Sequence, residues 1–241
     1  MTYVYLYWNK MKTPLSKLRR FPERAGYERS EIYPIIDEAL IAHVGFLHDG
    51  VPVVMPTLHA RVGDRLLIHG SVASRVVMAT RAHEELDACV TVTIVDGIVL
   101  ARSALQHSIN YRSAMLYGKL RELEGDDQQL SALEEFMNRV LPGRWSHIRQ
   151  PSVKEQKMTA VLALDIEEGA AKVRSGPPED LPEDVSSESW AGVIPLGLVA
   201  RPPEPEPGLR DDLELPAHLR ALAYDRFENV PAPEATRERA R

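Results

Sequence analysis

Two short stretches carry the residue types best suited to grip a small anionic ligand. Residues 69–75 read His-Gly-Ser-Val-Ala-Ser-Arg, after the apolar run "RLLIH" and before the helix-like run "VVMATRAHEEL". A strand is therefore expected to end here and a helix to begin. The first backbone N–H groups of a helix lack internal partners and carry partial positive charge, so an anion placed there gains hydrogen bonds and dipole attraction. Ser71 and Ser74 would add hydroxyl donors, Arg75 a planar fork matched to phosphate oxygens, and Gly70 room for close backbone approach. His69 would line the approach. Plain capping competes with this reading: Ser71 closes the helix start and Arg75 lies in solvent. Spacing alone leaves both open.

The second stretch, residues 107–113, reads "HSINYRS" and lies between two strongly apolar runs. A plain hairpin loop favours Gly, Pro, Asn and Asp. This one combines His107, Tyr111 and Arg112, a set that suits a flat aromatic ligand with a charged tail. The alternative is a wide turn in which Arg112 pairs with a carboxylate.

The whole chain bounds what such a ligand can be. Its 241 residues are 44% hydrophobic and 27% charged, enough for one sizeable soluble domain. A net charge of -6 argues against a broad nucleic-acid surface. The single cysteine, Cys89, makes neither an internal disulfide nor a cysteine-rich zinc site, and a reducing cytoplasm is the simplest expectation. No run reaches the length of a membrane span, and the short "MTYVYLYW" has no basic residue before it and no cleavage site. The eight histidines form no HExxH. There is also no Gly-x-Ser-x-Gly elbow and no Walker loop.

Positioning these residues falls to a chain dominated by short strands. "SEIYPIIDEALIAH" predicts a helix capped by Ser30, with Ile32, Ile35, Ile36, Leu40 and Ile41 at helical spacing and Pro34 near its first turn. Asp49-Gly50, Gly63-Asp64 and Asp96-Gly97 predict three hairpin turns. "DDQQLSALEEFMNRV" predicts an amphipathic helix, and Ser152 with Glu155 a capping box. "TAVLALDIEE" predicts an alternating strand, "WAGVIPLGLV" the last one, and "PAHLRALAYDRF" a short helix. Many antiparallel strands with few helices predict a mainly β (α+β) fold, a closed or split barrel rather than a doubly wound sheet. The expected divisions are a basic N-terminal extension (1–20), the barrel domain (21–200) and a proline- and acid-rich arm (201–241).

Taken in order, "HGS..SR", "H.S.NYRS", the "GPP" at 176–178 and "WAGVIPL" at 190–196 resemble the pyridoxamine 5'-phosphate oxidase-like flavoproteins. They are most similar to the flavin-nucleotide-binding branch that includes the nitroimidazole-resistance proteins. The resemblance spans about residues 20–197. It implies an FMN-binding split β-barrel of antiparallel strands with a few flanking helices. It also implies a homodimer with flavin at the interface, and an oxidoreductase acting on a small molecule. FAD, a deazaflavin and haem are the alternative cofactors, and a non-catalytic carrier or sensor is the alternative role. Haem enters because some split-barrel relatives bind it through a histidine, which makes His69 or His107 the candidate axial ligand here. Carried over by position, Ser74 and Arg75 hold the phosphate, with His69, Gly70 and Ser71 beside it. Met55, Pro56 and Thr57 lie along the flavin ring; Asn110, Tyr111, Arg112 and Ser113 reach the cofactor; Trp190 closes the cleft. Lys172 and Arg174 are secondary contacts or, more simply, a solvated strand edge. His107 is the candidate proton donor. Val76 stands where true pyridoxamine phosphate oxidases place lysine, and their C-terminal basic motif has no counterpart. The resemblance therefore implies the cofactor rather than vitamin B6 oxidation.

Overall fold

The computed structural model describes residues 11–210 and 212–225. The first half of the expected N-terminal extension and the end of the C-terminal arm lie outside the described residues. The elements in chain order are β1 (Ala25–Gly26), α1 (Arg29–Glu38), β2 (Ile41–His48), β3 (Val51–Leu58), β4 (Ala60–Val62) and β5 (Arg65–Ser71). Then follow α2 (Arg75–His83), β6 (Leu86–Leu100), β7 (Ser108–Glu122), α3 (Asp126–Val140), α4 (Val153–Lys157), β8 (Thr159–Asp165), β9 (Glu168–Arg174), β10 (Gly192–Pro195) and α5 (Ala217–Asp225).

The strands pair in the order β3-β2-β6-β7-β8-β5-β4, all antiparallel, and the ends of this path do not join. β9 pairs with β7 and β1, and β10 pairs with β6. The fold is a mainly antiparallel split barrel with a few flanking helices, as the strand and turn pattern predicts.

Turn chemistry explains two of the hairpins. Asp49 and Gly50 both adopt positive φ (51° and 73°), the geometry of a tight two-residue turn that twists with its strands. Gly63, at φ 58°, turns β4 into β5. The third expected turn does not form. β6 runs straight through Asp96-Gly97, and its register with β7 shifts there by a bulge. Gly97 does not adopt positive φ. It is small because β10 crowds it: a Cβ would stand 3.0 Å from the Ile194 carbonyl oxygen and from Val193 Cγ1. The real connection is the 101–107 segment, so "HSINYRS" is mostly strand and not a loop.

Burial shows how β8 anchors the fold. Ala160, Leu162 and Leu164 face the main core with Leu66, Ile68, Val90, Leu116 and Ile36. Val161 and Ala163 face a second core with Leu67 and with Ala132 and Phe136 of α3. β8 is thus buried on both faces, where the sequence predicts one. Such a strand reads as a continuous apolar run, as "AVLAL" does.

The helix starts differ in detail from expectation. α1 is capped at Glu28, not Ser30: the Glu31 carboxylate accepts from the backbone N–H of Glu28 and of Tyr27 (3.0 and 2.9 Å). An acidic side chain there also complements the helix dipole. Pro34 falls in the second turn, and α1 ends before Leu40 and Ile41, the latter opening β2. The Ser152–Glu155 capping box forms as expected. The described part of the expected extension is tied in: Met11 is buried in the main core, and its backbone pairs with Tyr27 and Gly169.

Candidate functional site

β5 carries His69, Gly70 and Ser71 to the barrel end, and three residues later α2 starts at Arg75. Ser74 is the N-cap residue, extended at φ -70° and ψ 148°, but its side chain makes no capping bond. Ser71 does not cap α2 either; its Oγ accepts from the Ala73 N–H within the turn (3.2 Å). The capping reading is therefore not realised. Ser74 Oγ is shielded from solvent and has no hydrogen-bond partner among the described residues. Buried hydroxyls are normally satisfied, so an orphan signals an absent partner. Gly70 leaves the space in front open: a Cβ there would stand 3.4 Å from Ser74 Oγ. Arg75 is exposed and joins no ion pair or side-chain hydrogen bond among the described residues. The Ser74 hydroxyl stands at the first turn of a nine-residue helix whose first residue is Arg75. This donor set fits a phosphate.

His69 turns away from this cradle. Its ring meets Phe136 edge-on, with centroids 4.7 Å apart, and Nδ1 is buried without a hydrogen-bond partner among the described residues. Burial pushes its pKa down, so the neutral ring is favoured. Met55 and Thr57 are half-buried on β3 and Pro56 is exposed. β3 ends the strand path, so its outer edge has no strand partner among the described residues. Met55 and Val72, the latter in the cradle turn, pack against the same core cluster.

The residues of 107–113 are not gathered around the cradle within one chain; no hydrogen bond or ion pair among the described residues joins the two groups. Arg112 is held by two carboxylates. It donates Nη2 to Glu38 at 2.8 Å and to Asp96 at 2.7 Å, and Nη1 to the other Glu38 oxygen. These bonds drive its pKa further up. Its guanidinium is thus engaged by the protein, the pairing that the wide-turn alternative anticipates, although on a strand. Sequence reading identified neither Glu38 nor Asp96 as its partners, because one lies 74 residues away and the other sits at the bulge. Asn110 is buried, donating Nδ2 to the Gly176 carbonyl (3.1 Å) and accepting from Arg174 Nη1. Arg174 also donates to the Pro177 carbonyl (3.2 Å). It is 5% exposed, so the expectation of a solvated edge fails for it: its charge is used to fasten the "GPP" segment. Lys172 lies 6.0 Å from the Phe21 ring centre. Ser113 Oγ donates to the Lys172 carbonyl (3.2 Å), and Tyr111 lies half-buried between β6 and β9. His107 is exposed, its Nδ1 2.9 Å from the Ser103 carbonyl oxygen. Trp190 is 67% exposed and covers Gly192, where a Cβ would meet its ring at 2.8 Å.

Among the described residues, no group of three or more His, Cys, Asp or Glu side chains is arranged to hold a metal ion, and no helix is long and apolar enough to cross a membrane.

Residues 28–173 match the sequence model of the family "Pyridoxamine 5'-phosphate oxidase". No curated protein matches the chain. Among solved structures, the flavocytochrome Anf3 from Azotobacter vinelandii is 38% identical, with 86% of this chain and 96% of that one covered and a TM-score of 0.81. An FAD and haem binding protein from Mycobacterium smegmatis is 35% identical, with 83% and 97% covered and a TM-score of 0.78. A proposed 5-nitroimidazole antibiotic resistance protein from Bacteroides thetaiotaomicron shares the fold at 21% identity, with 62% and 86% covered and a TM-score of 0.52. A family match over more than half of the chain and two relatives above 30% identity lead to one conclusion: the chain belongs to the pyridoxamine 5'-phosphate oxidase family.

Proposed function

We propose that the protein binds a flavin nucleotide, FMN or FAD, with a phosphate at the start of α2, and works as an oxidoreductase on a small molecule. The observation that carries this is the buried Ser74 Oγ beside the exposed Arg75, neither with a side-chain partner among the described residues. In this reading Ser74 and Arg75 hold the phosphate, and Gly70 keeps the space open. The free edge of β3 at Met55, Pro56 and Thr57 offers backbone groups to the ring. A bound flavin would supply the electron-transfer chemistry, and the protein would supply binding and orientation. Two copies of the chain form the working unit. Exposed apolar residues on neighbouring strands, among them Ile98, Ile109 and Ile194, support this pairing, and Trp190 closes the cleft from either copy. His107 keeps Nε2 as the ring nitrogen for a proton transfer. The single cysteine is consistent with a cytoplasmic setting.

A second cofactor is favoured by a specific finding. Two relatives are more than 30% identical to this chain; one is named a flavocytochrome and the other an FAD and haem binding protein, and both names point to haem. Both align over more than four fifths of this chain, so the shared region extends past the family match at residue 173. We therefore extend the proposal to a haem held by the same chain.

The test is the visible spectrum of the purified protein, followed by release and identification of each chromophore. A two-band flavin spectrum with a Soret band is expected. A colourless protein that also fails to take up added FMN or FAD would overturn the flavin reading.

A further inference from the structure

We propose that the open cavity lined by α1, β4, α3 and α5 is the haem site, with His218 as the axial ligand. This rests on the haem half of the reading above and assigns it a place. The cavity has a volume of about 410 Å³. Small-molecule and cofactor sites span about 300–1,000 Å³. Its walls are largely apolar, with Ile36, Ala39, Ala60, Val140, Pro142 and Leu222 among them. Such walls suit the flat face of a macrocycle, and Asp37, His59, Arg61, Arg139 and His218 supply the polar groups around them.

Two guanidinium groups also line the cavity. Arg61 is committed: it grips both oxygens of Asp37, at 2.9 and 2.5 Å, and lies over the Tyr33 ring. Arg139 is looser. Its Nε donates to the Arg61 carbonyl (2.9 Å) and its Nη2 is 3.7 Å from Asp37, but half of its side chain is in solvent. Its outer guanidinium nitrogens can turn to a carboxylate-bearing ligand such as a haem propionate.

His218 supplies the ligand. Its Nε2 is shielded from solvent and has no hydrogen-bond partner among the described residues. An unmet buried ring nitrogen is costly unless something occupies it. The ring stacks on His147, with centroids 4.2 Å apart and planes at 31°. His147 is in turn fixed by the Gly143 carbonyl, 2.8 Å from its Nδ1. Gly143, at φ 76°, lets α5 approach: a Cβ there would stand 3.2 Å from His218 Cβ. The other cavity histidine, His59, has Nε2 engaged with the Ile36 carbonyl (2.9 Å). His69 packs edge-on against Phe136 in the second core, and His107 is exposed on the 101–107 connection. Neither of the two histidines that the sequence suggests as axial ligands lines this cavity, whereas His218 does.

The experiment is haemin titration of the full-length, flavin-loaded protein, read by the Soret band. His218→Ala should shift the band and weaken haem binding by at least about ten-fold. Flavin content should stay unchanged, and added imidazole should restore the wild-type spectrum. Ala221→Trp, which fills the cavity from α5 while keeping His218, should also lower haem uptake. Haem bound by His218→Ala with the wild-type band and affinity would overturn the site and leave the haem reading standing. Wild-type protein that takes up no haem would overturn the reading beneath it.

Discussion

Arg174 donates to the carboxamide oxygen of Asn110 where the β7–β9 ladder begins, and both side chains are buried. The same pair holds two carbonyls of the segment that follows β9, Gly176 by Asn110 and Pro177 by Arg174. Removing Asn110 leaves a buried guanidinium short of a partner. Asn110→Ala is expected to cost about 2–4 kcal/mol of stability. Chemical denaturation measures it, and a loss below half a kcal/mol would show that the pair is dispensable.

Arg75→Ala should weaken flavin binding by about 1.5–3 kcal/mol, the scale of a charged hydrogen bond, and Ser74→Ala by about 0.5–1.5 kcal/mol. Arg75 makes no other polar contact among the described residues, so the melting temperature of the flavin-free protein should hardly move. Quenching of flavin fluorescence on binding gives both affinities. Wild-type affinity in the Arg75 variant would remove the cradle as the phosphate site.

Asp180 fastens the same C-terminal segment to the 101–107 connection. It accepts from the Arg102 backbone N–H (2.7 Å) and guanidinium (2.5 Å). These bonds, the backbone one first, outweigh burial and hold its pKa below the ordinary 3.8. A depressed folded-state pKa means that the stabilisation is complete above the unfolded value and is lost as pH falls below it. Wild type should therefore melt above Asp180→Asn at neutral pH, and the gap should close below about pH 3.8. Thermal melts across pH read this directly; a gap independent of pH would refute it.

Gly169 sits on β9 opposite Leu116. A Cβ there would stand 2.7 Å from the Met115 carbonyl oxygen and 2.8 Å from Leu116 Cδ2. Gly169→Ala is expected to destabilise by about 1–3 kcal/mol through overpacking. Gly50, with nothing within 4 Å and φ 73°, should accept Asn with little change in the same denaturation assay.

Local chemistry made much of this fold readable. Asp49-Gly50 has one favoured geometry, and the "LSALEEFMNRV" stripe has one buried face, so neither needs distant information. Asp96-Gly97 misled because the same dipeptide serves two purposes: at residue 50 glycine supplies a positive φ, while at residue 97 it makes room for a strand that arrives nearly 100 residues later. The cradle was legible because its donors are contiguous. The partners of Arg112, the burial of Arg174 and the cavity around His218 were not. Each depends on residues brought together from three or more elements, and no periodicity marks them.

The bulge at Asp96 has a consequence for how the sheet can come apart. Before it, residues 88–92 of β6 take β2 as neighbour; after it, residues 97–100 take β10. The inward phase changes there too, from Leu86, Ala88, Val90 and Val92 to Gly97 and Val99. One strand thus serves two seams that share no hydrogen bond. The β10 seam can open, under force or in slow amide exchange, with the β2 seam still shut.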